Sequence, residues 1–175
     1  MAGGRLYSDM QPKVARGWVS GMEYGSIERE IRIDARPEVV YEVISRPEHL
    51  REWWPDEAEL EPVPGATGVI TFGDTTSPEA KVVSLTVIEA DPPRRFCFRW
   101  VYDEGEAATP TNSLLVTFDL IPSGAGTLLR FTETGFREKG WEAAVLEEQY
   151  RQHVTGWDHF LPRLVAYAER LVSAP

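Results

Sequence analysis

Residues 150–171 read YRQHVTGWDHFLPRLVAYAERL, and the spacing of their apolar members decides the fold. Counting from Leu146, the residues Tyr150, Val154, Trp157, Leu161, Leu164, Ala168 and Leu171 recur at steps of three and four, which is one continuous stripe along an α-helix. Glu142, Glu147, Glu148, Arg151, Gln152, Arg163, Glu169 and Arg170 populate the opposite face. The pattern predicts a helix over 141–172, too long and too one-sided to stand alone, so its stripe must be buried against another element. Pro162 falls inside it, lacks a backbone donor and crowds the carbonyl of Asp158, which predicts a bend between Trp157 and Pro162.

The residues upstream supply the partner. Ile27, Ile31 and Ile33 alternate with Glu28, Glu30, Arg32 and Asp34, the period of a half-buried strand. Arg29 interrupts the inner set and marks an end open to water. Asp34 reads as a helix cap and Pro37 as an early helical residue. Val39, Val40, Val43 and Ile44 then give a short helix, and a second is predicted from Pro47 to Trp54, closed by Pro55. Six further strands are predicted over 57–63, 67–73, 80–90, 95–103, 112–121 and 126–136, separated by proline- and glycine-containing turns. The expected class is α+β: a curved, seven-stranded antiparallel sheet wrapped around the long C-terminal helix, with two short helices after the first strand. A twisted sheet curls, so a straight helix cannot fill its concave side, and a cavity is expected between them. Alternation sends Phe96, Phe98, Trp100 and Tyr102 to that side, with Cys97, Arg99 and Val101 behind. By the same phase Leu114, Val116, Phe118 and Leu120 point inward, as do Leu129, Phe131 and, unusually, Glu133.

Composition bounds the function. At 175 residues, 42% hydrophobic and 26% charged, the chain suits one globular domain, expected over 26–172. Residues 1–25 show neither period and read as a poorly ordered extension, on which only Trp18 suggests docking. The net charge of −10 repels polyanions, so nucleic acid and anionic membrane are poor partners. No apolar run approaches a membrane span or a secretory signal, and a cytoplasmic location is expected. The single Cys97 excludes an internal disulfide and a cysteine zinc cluster. The three histidines have no metal-ligand spacing, and neither a phosphate-binding loop, a dinucleotide fingerprint nor a nucleophile elbow occurs; no metal or cofactor is predicted.

The six tryptophans exceed what a small core needs, and flat rings make economical pocket walls. Trp54, Phe98, Trp100, Tyr102, Phe118, Phe131, Tyr150 and Trp157 are the expected walls, with tryptophan nitrogen and tyrosine oxygen as polar handles. His153 lies one turn from Tyr150 and from Trp157 and is expected to meet Glu133 across the cavity. Carboxylate and imidazole would then orient the polar end of a mostly apolar small molecule. The plain alternative is a hydrogen-bonded core pair, or a glutamate reaching solvent at the strand end. A cyclase- or dehydratase-type enzyme using the same two groups for proton transfer is the second reading, and a protein-interaction module the third. Homodimerisation through the sheet's outer face or a strand edge is left open. His49 and His159 read as surface residues, Cys97 as a packed thiol rather than one activated by Arg95 and Arg99, and the acidic segment 103–110 as a solvated loop that could gate one end.

The order of elements, together with IRIDARPEVVYEVISRPEHLREWW at 31–54, TETGF at 132–136 and the quoted helix, resembles the START-like helix-grip (SRPBCC) superfamily. Within it, the chain is most similar to homologues of the C-terminal domain of the activator of the heat-shock protein 90 ATPase, over about residues 26–172. Trp53-Trp54 and Gly156-Trp157 carry the likeness; Pro162 departs from it. The resemblance implies a groove and leaves its contents open, since the superfamily holds carriers, cyclases and proteins of unknown role. It also implies a chaperone partner, but the activator makes much of that contact through a separate N-terminal domain that residues 1–25 are too few to replace. Stimulation of a chaperone ATPase is therefore expected to be absent.

Overall fold

The structure, a computed structural model, describes residues 24–101 and 107–173. Strand β1 (Ser26–Ile33) leads into helices α1 (Pro37–Ser45) and α2 (Pro47–Trp53). Six strands follow: β2 (Glu57–Glu59), β3 (Thr67–Phe72), β4 (Lys81–Asp91), β5 (Arg95–Val101), β6 (Leu114–Ser123) and β7 (Gly126–Thr134). Helix α3 (Ala143–Ser173) closes the chain. The strands form one seven-stranded sheet, ordered β1-β7-β6-β5-β4-β3-β2, with every neighbouring pair antiparallel. This is the helix-grip arrangement expected from the sequence. No helix among the described residues is long and apolar enough to cross a membrane.

Several boundaries move for local reasons. Strand β2 stops at Glu59 rather than 63, because Pro62 and Pro64 bring no N–H to a ladder. Strand β6 starts at Leu114 rather than 112, since the Asn112 side chain bonds the Thr109 N–H and the Ala107 carbonyl and builds a turn instead. Strand β7 ends at Thr134 because Gly135, at φ 108°, diverts the chain. Asp34 does not cap α1. The N-cap is Arg36 with no side-chain bond; the Asp34 carboxylate faces Arg32, and its N–H donates to Glu169 of α3 at 2.9 Å. Tyr102, Trp18 and residues 103–106 of the 103–110 loop lie outside the described residues.

The inner face follows the alternation: Phe96, Phe98 and Trp100 on β5, Phe118 on β6, and Phe131 and Glu133 on β7 are all buried. Helix α3 presents His153, Trp157, Leu161, Leu164 and Ala168 to them, whereas Tyr150 and Val154 are half-buried and Leu171, at the far end of the expected stripe, is 40% exposed. Pro162 sits on the helix's outward side. Hydrogen bonds fasten the grip: Arg29 reaches Asp158 through two nitrogens at 3.0 and 3.3 Å, and the Tyr150 hydroxyl donates to the Ser26 carbonyl at 2.8 Å. Arg29 thus marks the open end that its place in the alternation implied. Helices α1 and α2 also plug the concavity. The Trp53 indole donates to the Val43 carbonyl at 2.9 Å, and its ring packs on Trp54 and Phe118.

Among the described residues the Tyr41 hydroxyl is the buried side-chain polar atom that lacks a hydrogen-bond partner, on a residue only 7% exposed. Its pKa is pushed up from 10.0 to about 12, first by burial and then by Asp91 and Glu89. A folded-state value above the unfolded one gives stability that is complete below pH 10 and is lost as pH rises toward about 12. Tyr41→Phe removes the orphaned hydroxyl, and urea unfolding at neutral pH should show it about 1 kcal/mol more stable. Its stability should also fall less steeply over that alkaline range; a clear loss of stability would mean that the hydroxyl has a partner after all.

Candidate functional site

The site is built on TETGF. On β7, Glu133 lies in register with Val116 of β6 and Ile27 of β1, so its side chain enters the core, where it is 0% exposed. A buried carboxylate is costly unless donors surround it. Trp100 Nε1 of β5 donates to Oε2 at 2.8 Å, Trp157 Nε1 of α3 donates to Oε1 at 2.8 Å, and His153 Nδ1 lies 2.9 Å from the same Oε1. An indole nitrogen can only donate, so both oxygens serve as acceptors, and a proton on Nδ1 completes the set. Gly135 then turns the chain so that Phe136 is buried edge-on against His153, with ring centroids 5.3 Å apart. Trp100 approaches the same imidazole at 5.5 Å. Carboxylate and flanking rings together fix the imidazole's orientation.

Beside this cluster is a cavity of about 470 Å³. Its apolar walls are Trp54, Phe72, Trp100, Trp157 and Phe160, and His153 and Gly156 border it from α3. Gly73, Glu79, Lys81 and Gln152 form an exposed, polar rim. Four of the side chains expected from the sequence (Trp54, Trp100, His153 and Trp157) therefore meet at this cavity, and Glu133 stands behind them.

Phe98, Phe118 and Phe131 do not line it. Phe131 packs on Trp157 at 4.6 Å, Phe118 on Trp53 and Phe131, and Phe98 on Trp54. Trp53 and Trp54 pack against these rings and fill that part of the concave side. Tyr150 is turned away, its hydroxyl bonded to β1 and its ring between Tyr24 and Phe136. Tyr102 lies outside the described residues. Nor are Trp100 and Trp157 polar handles, since Glu133 engages both indole N–H groups. Trp54 differs: it is 5% exposed, and its Nε1 donates to no group among the described residues.

Phe72, Gly156 and Phe160 were missed by sequence reasoning. Phe72 shares the buried face of Ile70 by alternation, and Phe160 follows Gly156 by one helical turn, so both signals were available. Of the remaining candidates, His159 is exposed. His49 is not a free surface residue: it is half-buried, with Nδ1 2.7 Å from the Tyr167 hydroxyl. Cys97 is buried beside the Thr117 hydroxyl. Its thiol pKa is raised by burial, against smaller lowering effects of that hydrogen bond, Arg95 and Arg99. Trp141 sits under the Lys139 ammonium, away from the cavity. No cluster of metal-ligating side chains occurs among the described residues.

The family model described as Activator of Hsp90 ATPase homolog 1-like protein matches residues 34–169. No curated protein matches the chain in sequence. Among solved structures, a protein of Mesorhizobium loti is similar with a TM-score of 0.65 and 20% identity, over 83% of this chain and 97% of its own. The Aha1 dimer of Colwellia psychrerythraea, solved in solution, is similar with a TM-score of 0.62 and 23% identity, over 82% of this chain and 96% of that one. DynU16, a protein of the dynemicin biosynthetic locus, is similar with a TM-score of 0.62 and 19% identity, over 85% of this chain and 48% of that one. At these identities the likeness is one of fold.

Two outcomes are expected of this geometry. Glu133→Gln keeps the shape but turns one oxygen into an amide N–H₂, and since His153 can change tautomer while an indole cannot, at least one tryptophan N–H must then face a donor. Urea unfolding should show a loss of about 1–3 kcal/mol; an unchanged midpoint would refute the donor assignment. The Cys97 thiol should react slowly with an aromatic disulfide reagent at neutral pH and fully once denaturant unfolds the chain; rapid labelling of the folded protein would contradict its burial.

Proposed function

We propose that this protein, which belongs to the Activator of Hsp90 ATPase homolog 1-like family, binds a mostly apolar small molecule bearing one polar group in the cavity beside His153. The observation that carries this reading is an aromatic-walled space of about 470 Å³, within the usual range of small-molecule sites, whose innermost polar group is an imidazole already oriented by a buried carboxylate. Burial of ring surface against Trp54, Trp100 and Trp157 provides the driving force. His153, which borders the cavity, meets the ligand's polar group, and the Trp54 N–H donates to a ligand oxygen. Glu133 touches no ligand; it is a positioning residue that acts through His153. The place of DynU16 in a biosynthetic locus supports a role in small-molecule chemistry for a protein of this fold.

The Glu133–His153 bond favours one second reading. An imidazole held by a buried carboxylate at the border of a cavity is a pairing that proton transfer uses, so the same pocket would serve a proton-transfer enzyme. Tryptophan-fluorescence titration, cross-checked by native mass spectrometry, against a panel of fatty acids, flavonoids and polyketides separates the cases. Binding is expected to quench or shift the pocket indoles, and Trp54→Phe and His153→Ala should each weaken it by about three- to tenfold. Turnover that His153→Ala abolishes while binding survives would favour the enzyme. Absence of binding across the panel would remove the pocket reading.

A further inference from the structure

We infer that Gly156 determines the size of the ring system the cavity accepts, an inference that rests on the small-molecule reading above. Gly156 lies inside α3, three residues after His153, one before Trp157 and four before Phe160, on the stretch of helix that borders the cavity. Glycine inside a helix costs about 1 kcal/mol relative to alanine. Such a residue usually has a local reason, either a left-handed backbone or a neighbour too close for a side chain. Gly135 illustrates both: its φ is 108°, and a Cβ there would come 3.0 Å from the Ser113 carbonyl. Gly65, Gly124 and Gly140 have room but positive φ.

Gly156 has neither reason. It is not among the glycines with positive φ, and a Cβ placed on it meets no heavy atom within 4 Å. The missing side chain therefore leaves open volume and nothing else, at a residue that borders the cavity together with its helix neighbours Gln152, His153, Trp157 and Phe160. Trp54 just after α2, Phe72 of β3 and Trp100 of β5 bound the same space. Any side chain at 156 would extend toward this space from the helix, between the imidazole and Phe160. Its effect would fall on the width available to a flat ligand, not on the fold.

The two effects can be measured separately on Gly156→Ala and Gly156→Leu. Urea unfolding reports the fold, and quenching of tryptophan fluorescence by phenol, 2-naphthol and 2-hydroxyanthraquinone reports the cavity with one, two and three fused rings. Gly156→Ala should be at least as stable as the parent chain, bind phenol within about twofold of it, and bind 2-hydroxyanthraquinone at least about tenfold more weakly. Gly156→Leu should lose 2-naphthol as well. Unchanged affinity for all three probes in both variants overturns the role of Gly156 and leaves the pocket reading standing. A parent chain that binds none of the three overturns the ring-size role of Gly156, and the pocket reading falls with it only if the wider panel fails to bind as well. Should the leucine variant fail to fold, the alanine variant, which adds a single methyl group, decides the question.

Discussion

A carboxylate with no exposed surface requires donors, and the answer to that requirement at Glu133 organises the rest of this molecule. The three groups that meet it come from two different elements, Trp100 from β5 and His153 and Trp157 from α3. The bonds therefore set the rotation of the long helix against the sheet as well as stabilising the charge. Apolar contact alone is indifferent to small rotations of a helix about its axis, whereas three directional bonds to one side chain are not. More remote ties agree with the same setting: Arg29 with Asp158, and the Tyr150 hydroxyl with the start of β1.

The same constraint shapes what the cavity can offer a ligand. Because Glu133 takes the N–H of Trp100 and of Trp157, those indoles contribute ring surface and no donor. Polarity among the buried walls of the cavity is then concentrated at His153 and at Trp54, whose ring lies 5.2 Å from that of Trp157. On the proposed small-molecule reading, such an environment, mostly apolar with few and fixed polar groups, would discriminate by shape along the walls and by hydrogen bonding to the ligand's polar group. Rings already held by packing and hydrogen bonds have little freedom left to lose when a ligand enters.

How far the sequence carried the reading depended on whether a pattern or a fit was involved. Alternation put Phe98, Trp100, Phe131 and Glu133 on the inner face, and helical spacing put His153 and Trp157 on one stripe, because both follow from backbone geometry alone. The Glu133–His153 meeting was legible for that reason. What pattern could not give was the depth to which α1 and α2 enter the concave side. Trp53 ends a helix of seven residues and Trp54 caps it, and the approach of so short a helix is fixed by tertiary contact and not by its own periodicity. Their insertion is what turned Phe98, Phe118 and Phe131 from expected walls into core. Local chemistry explains the smaller misses: prolines beyond β2, the Asn112 turn before β6, and an Asp34 whose N–H and carboxylate found partners other than the helix end.

The account stands or falls on the two indole bonds to Glu133, and the hydrogen-exchange rates of the tryptophan indole protons test them most directly. Assigned by nitrogen-15 NMR of the intact chain, with Trp100→Phe and Trp157→Phe identifying the signals, the Trp100 and Trp157 protons should exchange as slowly as that of Trp53, whose N–H is bonded to the Val43 carbonyl in the core. Exchange of either at the rate of a solvent-exposed indole would contradict the buried carboxylate centre and the orientation of α3 that follows from it.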